Sequence, residues 1–522
     1  MDREDRALYL ARDRMGEKPL YYGWQNGVFL FGSELKALKA HPEFQGEIDR
    51  DALTLLLRYS YIPAPYTIYK GIRKLPPGTR IRFSTYGEHF VVGELSPPES
   101  YWSLRSAVDI ALADPFAGGD HDAIDALEAH LKESIAVQMI ADVPLGAFLS
   151  GGVDSSTIVA LMQAQSMRPV KTFTIGFHEK GYNEAAHALA VARHLGTDHT
   201  ELYVTSDSAR AVIPRLPALY DEPFSDPSQI PTFLVAQMAR QHVAVALSGD
   251  GGDELLGGYS RYFLTSSLWR YIRLLPSGVR NFFIFAIQTL PPDTWNQVFS
   301  RLGRALPQHM RLNHMGEKAY KLVGMLKSGN PQAIYAGLVS HVMHPAEVVI
   351  RASEPKSVVT DSKVYNIFQN IEQCMMFLDA VTYLPDDILV KVDRAAMAVG
   401  LETRVPFLDH RVVEFCWRLP LSMKIRGGQG KWILRQILHK YVPKELVERP
   451  KMGFGVPIDT WLRGPLKEWA EDQLSETRLQ QEGYFHAAPI RAKWQEHLSG
   501  RRNWQYHLWD VLMFQAWLEH NR

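Results

Sequence analysis

The chain has 522 residues, and its 57 Lys and Arg balance 57 Asp and Glu, so the formal net charge is zero. That balance excludes a basic nucleic-acid-binding coat, and 46% hydrophobic with 22% charged residues excludes intrinsic disorder. At roughly 150 residues per ordinary domain, the length holds more than one folded unit.

Residues 1–14 (MDREDRALYLARDR) are charged throughout and lack the apolar stretch of a signal peptide, which predicts a cytoplasmic protein. From residue 7 to about 90 the pattern is strand-like. ALYLAR comes first, then PLYYGW and VFLFGS on either side of Gln25-Asn26-Gly27, whose Asn-Gly pair marks a tight hairpin. A helix is predicted over 49–59, and Leu75-Pro76-Pro77-Gly78 turns into the strand TRIRF. This reads as an antiparallel-sheet domain over 1–95. Pro97-Pro98 and Gly118-Gly119 bracket a shift in composition that makes 96–121 a linker.

Beyond it, Ile124, Leu127, Leu131 and Ile135 recur at i, i+3, i+7 and i+11 and predict a helix over 122–139. Short apolar runs at 143–150, 171–177 and 242–248 then alternate with helix-length segments, the signature of a parallel sheet covered on both faces. An α/β domain over 122–522 follows, mainly helical from about residue 261, with its helices walling the site. The most apolar run, 281–290 (NFFIFAIQTL), falls short of the roughly 20 residues of a membrane helix and is predicted to be a buried helix. Cys374 and Cys416 are too few for a disulfide framework or a zinc cluster, which fits a reducing compartment.

The strongest chemical signal is Ser150-Gly151-Gly152-Val153-Asp154-Ser155-Ser156, set between an apolar strand ending at Leu149 and a helix. Two glycines let the backbone approach an anion, and the free amides at the helix start attract phosphate oxygens. Ser150, Ser155 and Ser156 add hydroxyl donors. A plain capped turn is the bland alternative. No lysine follows the glycines, so this is not a Walker-type loop, and it reads as a pyrophosphate loop.

SGGVDSS resembles the loop of the N-type ATP pyrophosphatases, and its surroundings resemble the synthetase domain of glutamine-dependent asparagine synthetases. TFTIGF (172–177), YNEAAHALAVARHLGTDHTEL (182–202), DEPFSDPS (221–228), SGDGGDELLGGY (248–259), the stretch 384–415 and GKWILRQIL (430–438) continue the likeness in order. The resemblance implies an adenine nucleotide alpha hydrolase-like fold after a partial Ntn-type glutaminase domain. It also implies ATP-dependent amidation of aspartate through β-aspartyl-AMP, releasing AMP and pyrophosphate.

Residue by residue, it implies that Leu149 and Ile175 face the adenine, although by pattern alone they are core strand residues. Ser248 and Gly249 match a second nucleotide contact. With Ser150, Gly151, Gly152, Asp154, Ser155 and Ser156 these form the expected ATP site. Asp154 and Asp253 offer carboxylates suited to Mg²⁺, and the family implies the same pair. The rival reading makes Asp250, Asp253 and Glu254 a solvated acidic turn. Asp250 matches an acidic residue, often Glu, important for forming or aminating the acyl-adenylate, and a general base for the incoming ammonia is an expected role for it. Lys431 matches a lysine that neutralises phosphate and intermediate charge. Asp409 reads as a helix cap, Arg394 as a substrate contact or a partner of Asp393 or Glu402, and His178, His187, His194 and His199 as ordinary histidines.

The family's glutaminase begins with a cysteine nucleophile, and no cysteine precedes Cys374 here. The expectation is therefore ammonia-dependent activity, with free ammonia or a separate glutaminase as the nitrogen source. A truncated reading frame or a natural ammonia-using chain explains this equally in kind, and truncation is the favoured expectation. A sheet entered midway is expected to leave an edge unpaired and Tyr21, Tyr22 and Phe29 partly exposed. Other substrates weighed are a carboxylated sugar or cell-surface precursor and β-lactam ring closure; a non-catalytic nucleotide-binding paralogue is the alternative outside enzymology.

Overall fold

The computed structural model describes residues 7–84, 93–177, 184–289, 330–448 and 455–521, with the single positions 294, 323 and 326. Strand β1 (Ala7–Ala11) leads into the expected hairpin of β2 (Tyr21–Gln25) and β3 (Val28–Gly32). The hairpin turns through Asn26 and Gly27 at φ 46° and 79°, the two successive positive values that such a two-residue turn requires. β4 (Ile72–Lys74) pairs with β2, whereas β5 (Thr79–Ser84) pairs with β1 and with β6 (Glu99–Ser100). The antiparallel unit is therefore two three-stranded sheets. Residues 85–90, the end of the expected strand region, lie outside the described residues. The helix expected over 49–59 runs Arg50–Tyr59, capped by Asp49, whose carboxylate accepts from the Asp51 and Ala52 amides.

Tyr21 and Tyr22 do not show the expected exposure: they are buried, at 0% and 1%. The Arg394 guanidinium lies 5.8 Å from the Tyr21 ring centre, and Tyr22 packs with Leu10, Leu75, Ile81 and Phe83. Phe29 is half-buried against Trp24 and Phe83.

A second sheet holds β7 (Leu145–Phe148), β8 (Lys171–Phe177), β9 (Asp198–Val204), β10 (Val245–Leu247) and β11 (Glu402–Arg404). All pairs are parallel, in the order β11-β10-β7-β8-β9. β7, β8 and β10 are the three expected strands. β9 and β11 are additions, and β11 is a three-residue strand within the part that is otherwise mainly helical, as expected. The helices Val153–Ala164 and Ala185–Leu195 connect β7 to β8 and β8 to β9. The chain then returns past β7, through the helix Gln229–Arg240, to lay β10 on its other side. Strand order thus reverses between β7 and β10, which opens a crevice at their carboxyl ends.

Alternate strand residues feed two cores, as a period of two demands. Phe173, Ile175, Phe177 and Ala246 enter one, together with Leu53, Leu56 and Tyr69 of the amino-terminal part and Trp509 and Trp517 of the last helix (Gln505–His520). Ala147, Leu149, Val245 and Leu247 enter the other, against the helix Asp120–Gln138 expected from its apolar stripe. Within 96–121, residues Leu104–Ala113 form a helix that packs on the helix His410–Arg418.

The run 281–290 lies largely in the helix Ser277–Gln288, but that helix is not buried. Among the described residues Phe282, Phe283 and Phe285 are exposed, whereas Ile284 and Ile287 pack against the cluster of Ile272, Leu326 and Ile334. No helix among the described residues is long and apolar enough to cross a membrane.

The amino-terminal part is joined to the α/β part by ion pairs, one buried and one with a half-exposed lysine among them. Lys74 pairs with Glu222, both almost fully buried, and Lys18 Nζ lies 2.8 Å from Asp393. Lys74→Met would strand the Glu222 carboxylate and is expected to cost about 3–5 kcal/mol in denaturant unfolding, most of it recovered by adding Glu222→Gln.

Candidate active site

Both glycine turns leave the same edge of the parallel sheet. β7 ends at Phe148, and residues 149–152 turn into the Val153–Ala164 helix, which carries Asp154 in its first turn. β10 ends at Leu247, and residues 248–251 turn into the short helix Gly252–Leu256 carrying Asp253. Because β7 and β10 are neighbours, the turns touch: a Cβ on Gly249 would stand 2.8 Å from the Ser155 amide nitrogen.

A cavity of about 1270 Å³ opens over these turns. Leu149, Ser150, Gly152, Asp154, Ser155, Ile175, Ser248, Gly249, Asp250, Asp253 and Lys431 all line it. Gly151 and Ser156 do not. Gly151, at φ 70°, turns the chain against Ala188, and Ser156 is buried in the first helical turn, so both shape the loop. Ser150 Oγ and Ser155 Oγ lie 2.9 Å apart, and the Gly152 amide donates to Ser150 Oγ over 3.2 Å. Hydroxyls and amides are thereby gathered at a positive helix end, a geometry suited to phosphate oxygens.

Lys431 enters from a third segment, at φ 58° in front of the helix Trp432–Leu438, with its amide donating to Leu256 O over 2.9 Å. Its ammonium pairs with Asp154 and lies 2.7 Å from Asp253 Oδ1. Gly258 makes room for the stem, since a Cβ there would stand 2.1 Å from Lys431 Cε. Burial disfavours the ammonium, yet Asp154 and Asp253 outweigh it and hold Lys431 above the ordinary lysine value.

The acidic turn is not freely solvated: Asp250 and Asp253 are half-buried in the cavity wall, and Glu254 is buried. Glu254 is 1% exposed and accepts from Tyr259 Oη over 2.7 Å. Burial, reinforced by the Asp253 charge, pushes its carboxyl up to about 7. Asp250 accepts from Ser248 Oγ; burial raises its carboxyl above the ordinary value against the lowering effect of Ser248 and Lys391.

Asp154 and Asp253 converge on one cationic point from two separate loops, which is the hard oxygen donor set that Mg²⁺ uses. Among the described residues no group of three or more His, Cys, Asp and Glu forms a metal cluster. Two carboxylates fit a Mg²⁺ ion that completes its shell with substrate oxygens and water.

Several lining residues escaped the sequence reading. Lys391 Nζ lies 2.6 Å from Asp226 and 3.7 Å from Asp387, all three against the cavity. The i, i+4 spacing of Asp387 and Lys391 in LPDDILVK was the available signal. Asp379 accepts from Tyr262 Oη and Tyr335 Oη over 2.6 Å and pairs with Arg261 over 2.6 Å. Ser60 and Tyr61, from the amino-terminal part, also reach the cavity.

Other expectations resolve as structure. Asp409 caps its helix by accepting from the Arg411 amide over 2.9 Å. Arg394 does not line the cavity; it donates to Ser33 O and lies 3.5 Å from Asp393, while Glu402 pairs with Arg404. His194 bonds the Tyr441 carbonyl, His199 bonds Thr172 Oγ1, His187 lies in the Ala185–Leu195 helix, and His178 lies outside the described residues.

Glu254 yields a pH prediction. Its carboxyl titrates near 4.5 when unfolded and near 7 when folded, so its contribution to stability is complete below 4.5 and is lost as pH rises through 7. Glu254→Gln is expected to be more stable than the parent at pH 8, by up to about 3 kcal/mol, with the gain vanishing toward pH 4.5 in denaturant melts.

Comparison with known proteins shows the family. Residues 126–519 match the asparagine synthase family, and residues 1–100 match a glutamine amidotransferase domain. Asparagine synthetase [glutamine-hydrolyzing] 1 of Bacillus subtilis is 30% identical over 519 residues, covering 99% of this chain and 76% of the relative. Asparagine synthetase [glutamine-hydrolyzing] 3 of the same organism is 23% identical, over 93% of this chain and 70% of its own length. Amidase chyE of Penicillium rubens is 24% identical, over 92% of this chain and 72% of its own length. With the family match spanning most of the chain and taking in both turns at the crevice between β7 and β10, this protein belongs to the asparagine synthase family.

Proposed function

We propose that the cavity amidates aspartate at the expense of ATP. The observation that carries this reading is the meeting of Asp154, Asp253 and Lys431 over two touching glycine turns. Leu149 and Ile175 flank the adenine, Ser248 and Gly249 contact the nucleotide, and Ser150, Ser155 and the helix amides hold the phosphates, with Gly151 and Ser156 shaping the turn. Mg²⁺ held by Asp154 and Asp253 would neutralise charge on the pyrophosphate leaving group.

The aspartate side-chain oxygen attacks the α-phosphorus, the bond to the β-phosphate oxygen breaks, and pyrophosphate leaves β-aspartyl-AMP. Ammonia then attacks the acyl carbon, a proton passes to Asp250, and the acyl–oxygen bond breaks to release AMP and asparagine. The raised carboxyl of Asp250 suits a base, because burial makes it hold a proton more readily. Lys431 offsets the negative charge that develops on phosphate and on the tetrahedral intermediate.

In this reading residues 1–95 are a glutaminase-type unit, 96–121 a linker and 122–522 the synthetase. Both cysteines of these 522 residues are buried in the synthetase half, and burial pushes each thiol up to about 12, so neither supplies a thiolate. In this reading these 522 residues draw their nitrogen from ammonia, free or from a separate glutaminase. Two buried unpaired thiols suit the cytoplasm.

The chain is expected to catalyse aspartate-dependent exchange of pyrophosphate into ATP and to form asparagine from ammonium but not from glutamine. Silence with aspartate alongside exchange with a uronic acid would replace the substrate. Lys431→Ala is expected to lower kcat by about 10²–10³, the range for removing one preorganised donor to developing charge. Asp154→Ala should abolish the exchange; unchanged pyrophosphate release would remove its metal role.

A further inference from the structure

Lys431 occupies the point at which a metal held by Asp154 and Asp253 would sit. Its ammonium touches both carboxylates, its side chain is 7% exposed, and its backbone is fixed by the bond to Leu256 O. The stem threads the gap left by Gly258, so the ammonium is held among the carboxylates by packing as well as charge. Two carboxylates and one ammonium leave a net charge of −1. A dication entering while the ammonium stays would place three positive charges against two negative ones, in a site poorly screened by water.

Resting on the metal reading above, we propose that Lys431 is the built-in counter-ion of this site and makes Mg²⁺ and nucleotide phosphate bind cooperatively. The carboxylates accept the metal when phosphate oxygens accept the Lys431 ammonium. Without phosphate the ammonium stays on Asp154 and Asp253, and the site resists free metal. The coupling is reciprocal, since each ligand is favoured by the rearrangement the other requires. It also keeps the buried carboxylates paired through the catalytic cycle.

The test is Mn²⁺ binding to the nucleotide-free full chain, followed by electron paramagnetic resonance of unbound Mn²⁺ and by the melting temperature. Lys431→Met and Lys431→Gln are expected to bind Mn²⁺ about tenfold more tightly than the parent or better. Mn²⁺ should also raise the melting temperature of these variants more than that of the parent. Lys431→Arg, which keeps the charge, should remain weak like the parent. Equal Mn²⁺ affinity in the parent and both neutral variants would overturn the proposal, as would tight binding by Lys431→Arg. The double variant Asp154→Asn/Lys431→Met should lose the gained affinity. If it keeps that affinity, the metal reading itself fails, an outcome distinct from the loss of coupling.

Discussion

The pairing of β7 with β10 places two chain segments, about a hundred residues apart in sequence, side by side and parallel. Each strand ends in a glycine turn and a helix start, so both turns must leave from one edge and meet. Their contact forces the Asp154 and Asp253 carboxylates into one region, where neither burial nor mutual repulsion is tolerable without a cation. Lys431 supplies that cation, and its helix is drawn against the turns by the same attraction. The site therefore inherits its geometry from strand order, and its charge balance from the third segment that strand order makes room for.

Burial of charge recurs around the cavity. Lys391 joins Asp226 and Asp387, Arg261 joins Asp379, and Lys74 joins Glu222 at the seam with the amino-terminal sheets. Each pair is a weak source of net stability, because desolvation offsets most of the attraction. Their effect is on register: a helix that slides would strand a buried charge. Rigid walls of this kind suit the proposed function, in which the cavity holds two substrates in fixed relative positions.

Much of the site was legible before the fold. SGGVDSS and SGDGGDE announce themselves because only glycine permits the approach seen between Gly249 and Ser155, and because each follows a short apolar strand. Lys431 was legible by resemblance, but its position between the two carboxylates was not. The reading was least secure where burial depended on neighbours. Phe282, Phe283 and Phe285 form an apolar run in sequence yet stay exposed among the described residues, whereas Tyr21 is sealed beside Arg394, hundreds of positions away, and Tyr22 by Leu75, Ile81 and Phe83 from other strands and turns. The strands β9 and β11 were missed because their residues, DHTELYV and ETR, carry too little apolar character to stand out.

Local chemistry in the sequence by itself determined the hairpin at Asn26-Gly27, the helix caps at Asp49 and Asp409, the two glycine turns and the neutral balance of charge. These depend on backbone preference and short-range hydrogen bonds, which neighbouring residues carry with them. Only the tertiary structure decided that β10 lies beside β7, that Lys431 sits between Asp154 and Asp253, that Glu254 is buried rather than solvated, and that Ser60 and Tyr61 reach the synthetase cavity. Those outcomes depend on distances between residues far apart in the chain, and on the low dielectric that packing creates around them; neither quantity exists until the two cores close.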